Sequence, residues 1–282
     1  MIRLAAIFIM ALSSSVHASE VRIATWNLGG FYQIKPSNLN QIASGLLQLN
    51  ADIVVLTELN PMSSASFLSN RLNDETGKCY ENTVIDQPLA HQQIGFLYSC
   101  GIQVTQPRLI HGSNLNRSRY RSAAVVDVRA ANFDFVLIGL HLKSSRASGS
   151  RELRSQQLHF VSGFIQGVTY SGEMDVLVVG DYNMIPGQDD ENFAVLNSGG
   201  NLRLASSEAL AGSFTHISRN GEKGNLLDGF AFTDIDGQEY QEGTLEIFPM
   251  NEKLGMTLSE FRAKVTDHLP IIATFDTKRD HD

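Results

Sequence analysis

Several kinds of residue are scarce in this chain, and each scarcity excludes something. Lys and Arg number 22 against 30 Asp and Glu, a formal net charge of −8. This argues against a nucleic-acid binder that works through bulk positive charge, although it does not exclude one with a local basic rim. After the first eighteen residues no apolar run is long enough to span a bilayer. No Pro-rich or Ser-rich linker, low-complexity tract or short-period repeat divides the chain, so residues 19–282 read as one domain. An aromatic-rich hairpin suited to membrane insertion is also missing, which weakens any reading as an enzyme of lipid surfaces.

Cysteine is nearly absent, with only Cys79 and Cys100. The N-terminus gives that pair a meaning. Met1 to Ala18 has Arg3 as its one charged residue, an apolar run from Leu4 to Leu12, and the small-residue ending Val16-His17-Ala18. This reads as a secretory signal peptide cleaved after Ala18, with a secreted or periplasmic product. In an exported chain an even pair of cysteines predicts one disulfide, against the alternative of two buried free thiols.

The stretch that organises the rest is Asp175-Val-Leu-Val-Val-Gly-Asp-Tyr-Asn-Met-Ile-Pro-Gly187. Its β-branched run reads as a buried strand that ends in Asp181 and Asn183, two positions apart and so on one face. Other strands end in polar groups as well. Val21 to Asn27 ends in Asn27, and Ile53 to Leu56 delivers Thr57-Glu58. Phe133 to Leu140 reaches His141, while Asn225 to Phe232 contains Asp228, and Asp267-His268 precedes a strand from Ile271 to Phe275. Strands are also read at Ile94–Tyr98 and Ala123–Val128. Helical apolar spacing follows Pro36 (Leu39, Ile42, Ala43, Leu46, Leu47) and runs through Ser66–Leu72 and Arg151–Gly167. Without strict β-α-β alternation, the pattern predicts an α/β (α+β) architecture of two packed sheets flanked by helices.

Strand ends are where sites are assembled. Oxygen ligands without cysteines suit Mg²⁺, with Mn²⁺ or Ca²⁺ as alternatives, rather than a structural zinc. Each residue also has a bland reading. Asn27 can be a strand-end turn residue, Glu58 a capping acid, His141 a satisfied core histidine, Asp228 a surface acid and Asp267 an N-cap. His91, His111, His159 and His216 match no pattern and are assigned no role, and Trp26 is read as packing beside the site.

Taken in order, Thr25-Trp26-Asn27, Thr57-Glu58, His141-Leu-Lys-Ser144, Gly180-Asp-Tyr-Asn183 and Thr266-Asp-His-Leu-Pro270 resemble the motifs of the endonuclease/exonuclease/phosphatase superfamily. The resemblance spans nearly all of residues 19–282. It implies the deoxyribonuclease I-like fold, a four-layered sandwich of two mixed β-sheets flanked by helices, and metal-dependent phosphoester hydrolysis. By the same resemblance Glu58 is the principal metal ligand, helped by Asn27 and Asp267. Asp181 orients or activates the attacking water, Asn183 donates to the scissile phosphate, and His268 is a catalytic histidine fixed by Asp228. His141 contacts the phosphate or the leaving group. Arg121 stands where relatives carry a phosphate-binding arginine, with Arg119 and Tyr120 close by. Some relatives pair the first histidine with a glutamate; here that neighbourhood reads Gln92-Gln93, which implies a less basic His141.

Substrate is not fixed by fold or motif. Basic residues cluster at Arg108, Arg117, Arg119 and Arg121, and again at Lys143, Arg146, Arg151 and Arg154. Such runs are usually solvated faces. Beside Arg121 and His141 they suggest a phosphate-tracking rim in which Arg119, Lys143, Arg146 and Arg151 contact substrate. The expectation is an exported endonuclease acting on DNA or RNA as a monomer, without a protein partner or stable membrane association. The alternatives are a phosphomonoesterase or phospholipid diesterase, or a non-catalytic binding version of the fold.

Overall fold

The computed structural model describes residues 19–30, 34–87, 90–117, 119–199, 201–233, 239–278 and 280. The expected signal peptide, residues 1–18, lies outside them. The elements in chain order are β1 (Glu20–Asn27), α1 (Pro36–Leu49), β2 (Ile53–Leu59), α2 (Ser64–Thr76), β3 (Tyr80–Val84), β4 (Gln93–Ser99), β5 (Gln103–Leu109), β6 (Ala124–Ala130) and β7 (Phe133–His141). They continue with α3 (Ser148–Tyr170), β8 (Val176–Asp181), α4 (Asp190–Asn197), β9 (Leu202–Arg203), α5 (Ala205–Ala209), β10 (Asp228–Thr233), β11 (Glu246–Ile247), α6 (Met250–Lys253), α7 (Leu258–Lys264) and β12 (Ile271–Asp276).

Two six-stranded sheets result, ordered β11-β12-β1-β2-β4-β3 and β5-β6-β7-β8-β10-β9. Both are mixed, as expected. Between them lies a core that includes Ile23, Val55, Phe96, Val126, Leu137, Val179 and Phe230. On the outer face of the first sheet, α1, α2 and α7 cover a second cluster containing Trp26, Leu46, Leu68 and Phe261. The second sheet is covered by α3 and α4 through Leu158, Val161, Ile165, Phe193 and Leu196. Strands buried on both faces explain the unbroken runs Ile53–Leu56 and Val176–Val179.

In each sheet one strand pair is parallel, β1 with β2 and β7 with β8. Parallel neighbours finish at the same edge, so these two pairs bring four chain ends to one rim. The ends carry Asn27, Glu58, His141 and Asp181. Gly180 makes this possible in β8. It adopts φ +139°, and a Cβ there would stand 2.1 Å from the Leu140 carbonyl oxygen, so only glycine fits.

Two readings need correction. The strand expected from Asn225 begins at Asp228, because the backbone before it bonds elsewhere. Asn225 O accepts from Thr215 N and His216 N, and Leu227 O accepts from Tyr182 N. Strands β3 and β5 were not anticipated. Both are sheet edges, and β5 contains Pro107 beside a register shift between Thr105 and Arg108, where proline is tolerated. Cys79 and Cys100 form the expected disulfide. Among the described residues no helix is long and apolar enough to cross a membrane.

Candidate active site

Four polar side chains meet at the rim. Glu58, His141 and Asp181 each bring one ligand atom within 4.8 Å of the others. His141 Nε2 lies 3.5 Å from Glu58 Oε1 and 3.7 Å from Asp181 Oδ2. His141 and Asp181 are register partners across β7 and β8, which fixes their proximity by backbone pairing alone. Asn27 joins the sheets: its Nδ2 donates to Asp181 Oδ2 at 3.0 Å and to Glu58 Oε1 at 3.4 Å. Its Oδ1 accepts from Gly29 N at 2.9 Å. The amide therefore presents N–H groups, not oxygen, to the carboxylates.

Two residues at these strand ends hold a backbone that few non-glycine residues adopt: Glu58 at φ 57° and Asn183 at φ 52°. Each costs on the order of 1 kcal/mol and persists where surroundings impose it. For Asn183 those surroundings are explicit. Its N–H donates to Asp181 Oδ1 at 2.9 Å, its Nδ2 to Leu142 O at 3.2 Å, and its carbonyl accepts from Arg146 Nη2 at 2.6 Å.

Asp228 opens β10 directly opposite Asp181 and accepts from His268 Nδ1 at 2.6 Å. Thr215, fully buried, sets this strand start, its Oγ1 accepting from Leu227 N and Asp228 N. The His268 carbonyl accepts from Trp26 Nε1 at 2.8 Å. Trp26 thus holds the histidine's backbone as well as packing the core. Asp267 stays outside the Glu58 triad, its Oδ2 paired with Arg262 Nη1 at 2.8 Å.

Electrostatics follow from this crowding. Burial pushes the Asp181 carboxyl up to about 7, and the Asp228 carboxylate adds to it. Burial likewise raises Glu58, against His268 and Arg121, which pull it down. His141 is held well below the ordinary histidine value by burial, with Arg121 and His268 repelling its proton. Its Nδ1 has no partner among the described residues, in keeping with the glutamines where a glutamate was sought. His268 is opposite: burial opposes its charge, but Asp228 overcomes it and lifts the imidazole to about 10. The site therefore has an imidazolium, a neutral imidazole and under-neutralised carboxylates, a donor set that fits a hard divalent cation.

Arg121 is half-buried near Glu58 and Asp181, and donates from Nη2 to Leu142 O at 3.4 Å. Arg146 and Arg151, placed on the rim by sequence, both pair with the fully buried Asp189 carboxylate, at 3.0 and 3.1 Å. Arg154 pairs with it at 2.8 Å and is itself buried, which removes it from the solvent-facing rim. Arg119 and Lys143 instead line a cleft of about 520 Å³ together with Arg121, Tyr120, Gln92, His91 and Ser144.

His216 and Asp189 had no assigned role in the sequence. The His216 ring packs edge-on to His268, centroids 5.2 Å apart, with Nε2 3.9 Å from Asp267 Oδ2. It lies on an isolated β-bridge with His268, so no apolar strand pattern marks it. The turn Pro186-Gly187 gives equally little sign that Asp189 will collect three arginines.

Two mixed six-stranded sheets between helical layers, with polar strand ends gathered on one rim, define the class. The fold is deoxyribonuclease I-like, the sandwich known from the endonuclease/exonuclease/phosphatase superfamily. No family model matches the chain. Endonuclease/exonuclease/phosphatase family domain-containing protein 1 of Homo sapiens is 24% identical over 300 residues, covering 92% of this chain and 50% of that protein. The chain thus spans about half the length of this curated relative. The human Nocturnin catalytic domain with bound sulfate anion superposes with a TM-score of 0.67 at 17% identity, over 92% of this chain and 94% of that one. A 3′ phosphatase, NExo from Neisseria, bound to product DNA hairpin, gives 0.64 at 16% identity, over 91% and 99%.

Proposed function

We propose that the chain is one exported domain that hydrolyses phosphodiesters in nucleic acid with the aid of a divalent cation. The observation that carries this reading is the cluster of Glu58, His141 and Asp181 beside the buried His268–Asp228 pair. Structures of this fold include one bound to a DNA product, which supports nucleic acid as the substrate.

Glu58 would be the principal ligand of the cation, with Asp181 adjoining it and Asn27 and Asp267 bordering the same space. Mg²⁺ suits the carboxylates, and the histidine in the cluster leaves room for Mn²⁺. When bound, such an ion supplies charge neutralisation at the phosphoryl oxygens. The protein's own groups do the rest. Asp181, titrating near neutrality, takes a proton from the attacking water. His268 donates from Nε2 to a phosphoryl oxygen, since Nδ1 is committed to Asp228. Asn183 Nδ2 and Arg121 add donors where negative charge grows, and neutral His141 contacts the phosphate or the leaving group. The protein acts as a monomer.

Plasmid DNA, RNA, sphingomyelin and inositol phosphates, each offered with Mg²⁺ or with EDTA, separate the possibilities. We expect cleavage of nucleic acid with Mg²⁺ and none with EDTA. Glu58→Gln should lose most activity and weaken Mg²⁺ binding, and His268→Ala should stop turnover while leaving metal affinity nearly intact. Hydrolysis of lipid or inositol phosphates with DNA and RNA untouched would overturn the nuclease reading, and full activity in EDTA would overturn the metal.

A further inference from the structure

The cleft beside the site has more positive charge and more buried donors than one scissile phosphate can use. Arg119, Arg121 and Lys143 line it, and among the described residues no carboxylate does. Arg117 lies over Tyr120, one of the lining residues, its guanidinium 5.6 Å from the ring centroid. Gln92, 4% exposed, lines the cleft, and its buried Nε2 and the buried Nε of Arg121 have no partner among the described residues. Buried donors are usually satisfied in folded proteins, so an unsatisfied one beside a cleft is a place for an acceptor brought by water or by a ligand.

The residues that carry these donors and cations line a space of about 520 Å³, within the roughly 300–1,000 Å³ of small-molecule sites. An acceptor-rich dianion satisfies all of them at once: it takes N–H from Gln92 and Arg121 and offsets the repulsion among three cations. Arg121 also feels Glu58 and Asp181, so the cleft and the reacting centre share a wall.

Building on the hydrolase reading above, we infer that this cleft is a second phosphoryl subsite, which seats a phosphomonoester group carried by the substrate next to the ester being cut. The substrate class it selects is a nucleotide or oligonucleotide with a terminal phosphate.

The test uses three chromogenic esters: the p-nitrophenyl ester of thymidine 5′-phosphate, the same compound with a 3′-phosphate, and the isomer with the p-nitrophenyl phosphate on 3′ and a free phosphate on 5′. With Mg²⁺, at least one doubly phosphorylated ester should show a KM tenfold or more below the parent. Lys143→Ser and, separately, Gln92→Leu should reduce that preference several-fold, whatever they do to the overall rate. In EDTA, isothermal titration should show thymidine 3′,5′-bisphosphate binding more tightly than thymidine, and Lys143→Ser should weaken it. Equal KM for all three esters keeps the hydrolase and overturns the subsite, as does a preference that survives both substitutions. Bisphosphate no tighter than thymidine also overturns it. Bisphosphate binding without hydrolysis of any ester keeps the subsite and overturns the hydrolase reading.

Discussion

His268 Nδ1 and Asp228 Oδ2 stand 2.6 Å apart in a site where both side chains are buried. The carboxylate outweighs burial and keeps the imidazole charged up to about pH 10, which makes His268 a cationic donor at neutral pH rather than a base. Asp228→Asn should drop the His268 pKa below its ordinary value and lower kcat by roughly 10²–10⁴-fold. NMR titration of the imidazole reads the first effect and steady-state kinetics the second. Because the folded pKa is raised, the pair's stabilisation is complete below about pH 6.5, declines above it, and is gone once the pH passes about 10. The Tm advantage of wild type over Asp228→Asn should follow that course.

Asp181 predicts a dependence of the same sign in a more acid window. Its carboxyl is raised from 3.8 to about 7, so between those values the folded chain holds a proton that the unfolded chain has released. Its ionised form therefore costs stability increasingly as pH rises through that window. In EDTA, Asp181→Asn should raise Tm by a few degrees at pH 8 and by almost nothing near pH 4. Added Mg²⁺ should raise Tm in wild type more than in the variant, and differential scanning calorimetry distinguishes these outcomes.

Asp189 binds Arg146, Arg151 and Arg154, and Arg146 also holds the Asn183 carbonyl. Asp189→Ala leaves Arg154 buried without its anion, which costs about 3–5 kcal/mol in a urea unfolding measurement. The Asn183 loop loses its tether at the same time, so kcat should fall even where the variant is fully folded. A variant with wild-type stability and kcat would contradict this.

The Cys79–Cys100 disulfide closes β3 to β4 across a separation of 21 residues. Replacing both cysteines with serine should cost roughly 3 kcal/mol through the unfolded chain. Alkylation without reductant, followed by mass measurement, should find no free thiol.

Where sequence was readable, the reason is visible in the strands. Glu58, His141 and Asp181 stand at the ends of apolar runs, and the end of a buried strand is a position that pattern alone locates. His268 and Asp228 become a pair only through folding, yet each adjoins a readable strand. The rest depends on contacts that have no linear pattern. His216 reaches His268 through a single bridge, and Thr215 acts on Asp228 through two backbone amides. Arg146 and Arg151 looked like rim cations because sequence shows their charge but not Asp189 beneath them. The edge strands β3 and β5 escaped notice because their side chains are largely half-exposed and lack an apolar run.

One consequence of the sheet order concerns synthesis. The central strand β1 lies between β2 and β12, its earliest neighbour and the final strand of the fold. A ribosome has finished the second sheet entirely before residues 271–276 emerge, and until then one edge of β1 has no partner. The first sheet to begin is the last to close, and His268 arrives with the same closing segment. Growing chains should therefore carry no activity at any intermediate length, and such long-range closure makes folding slow.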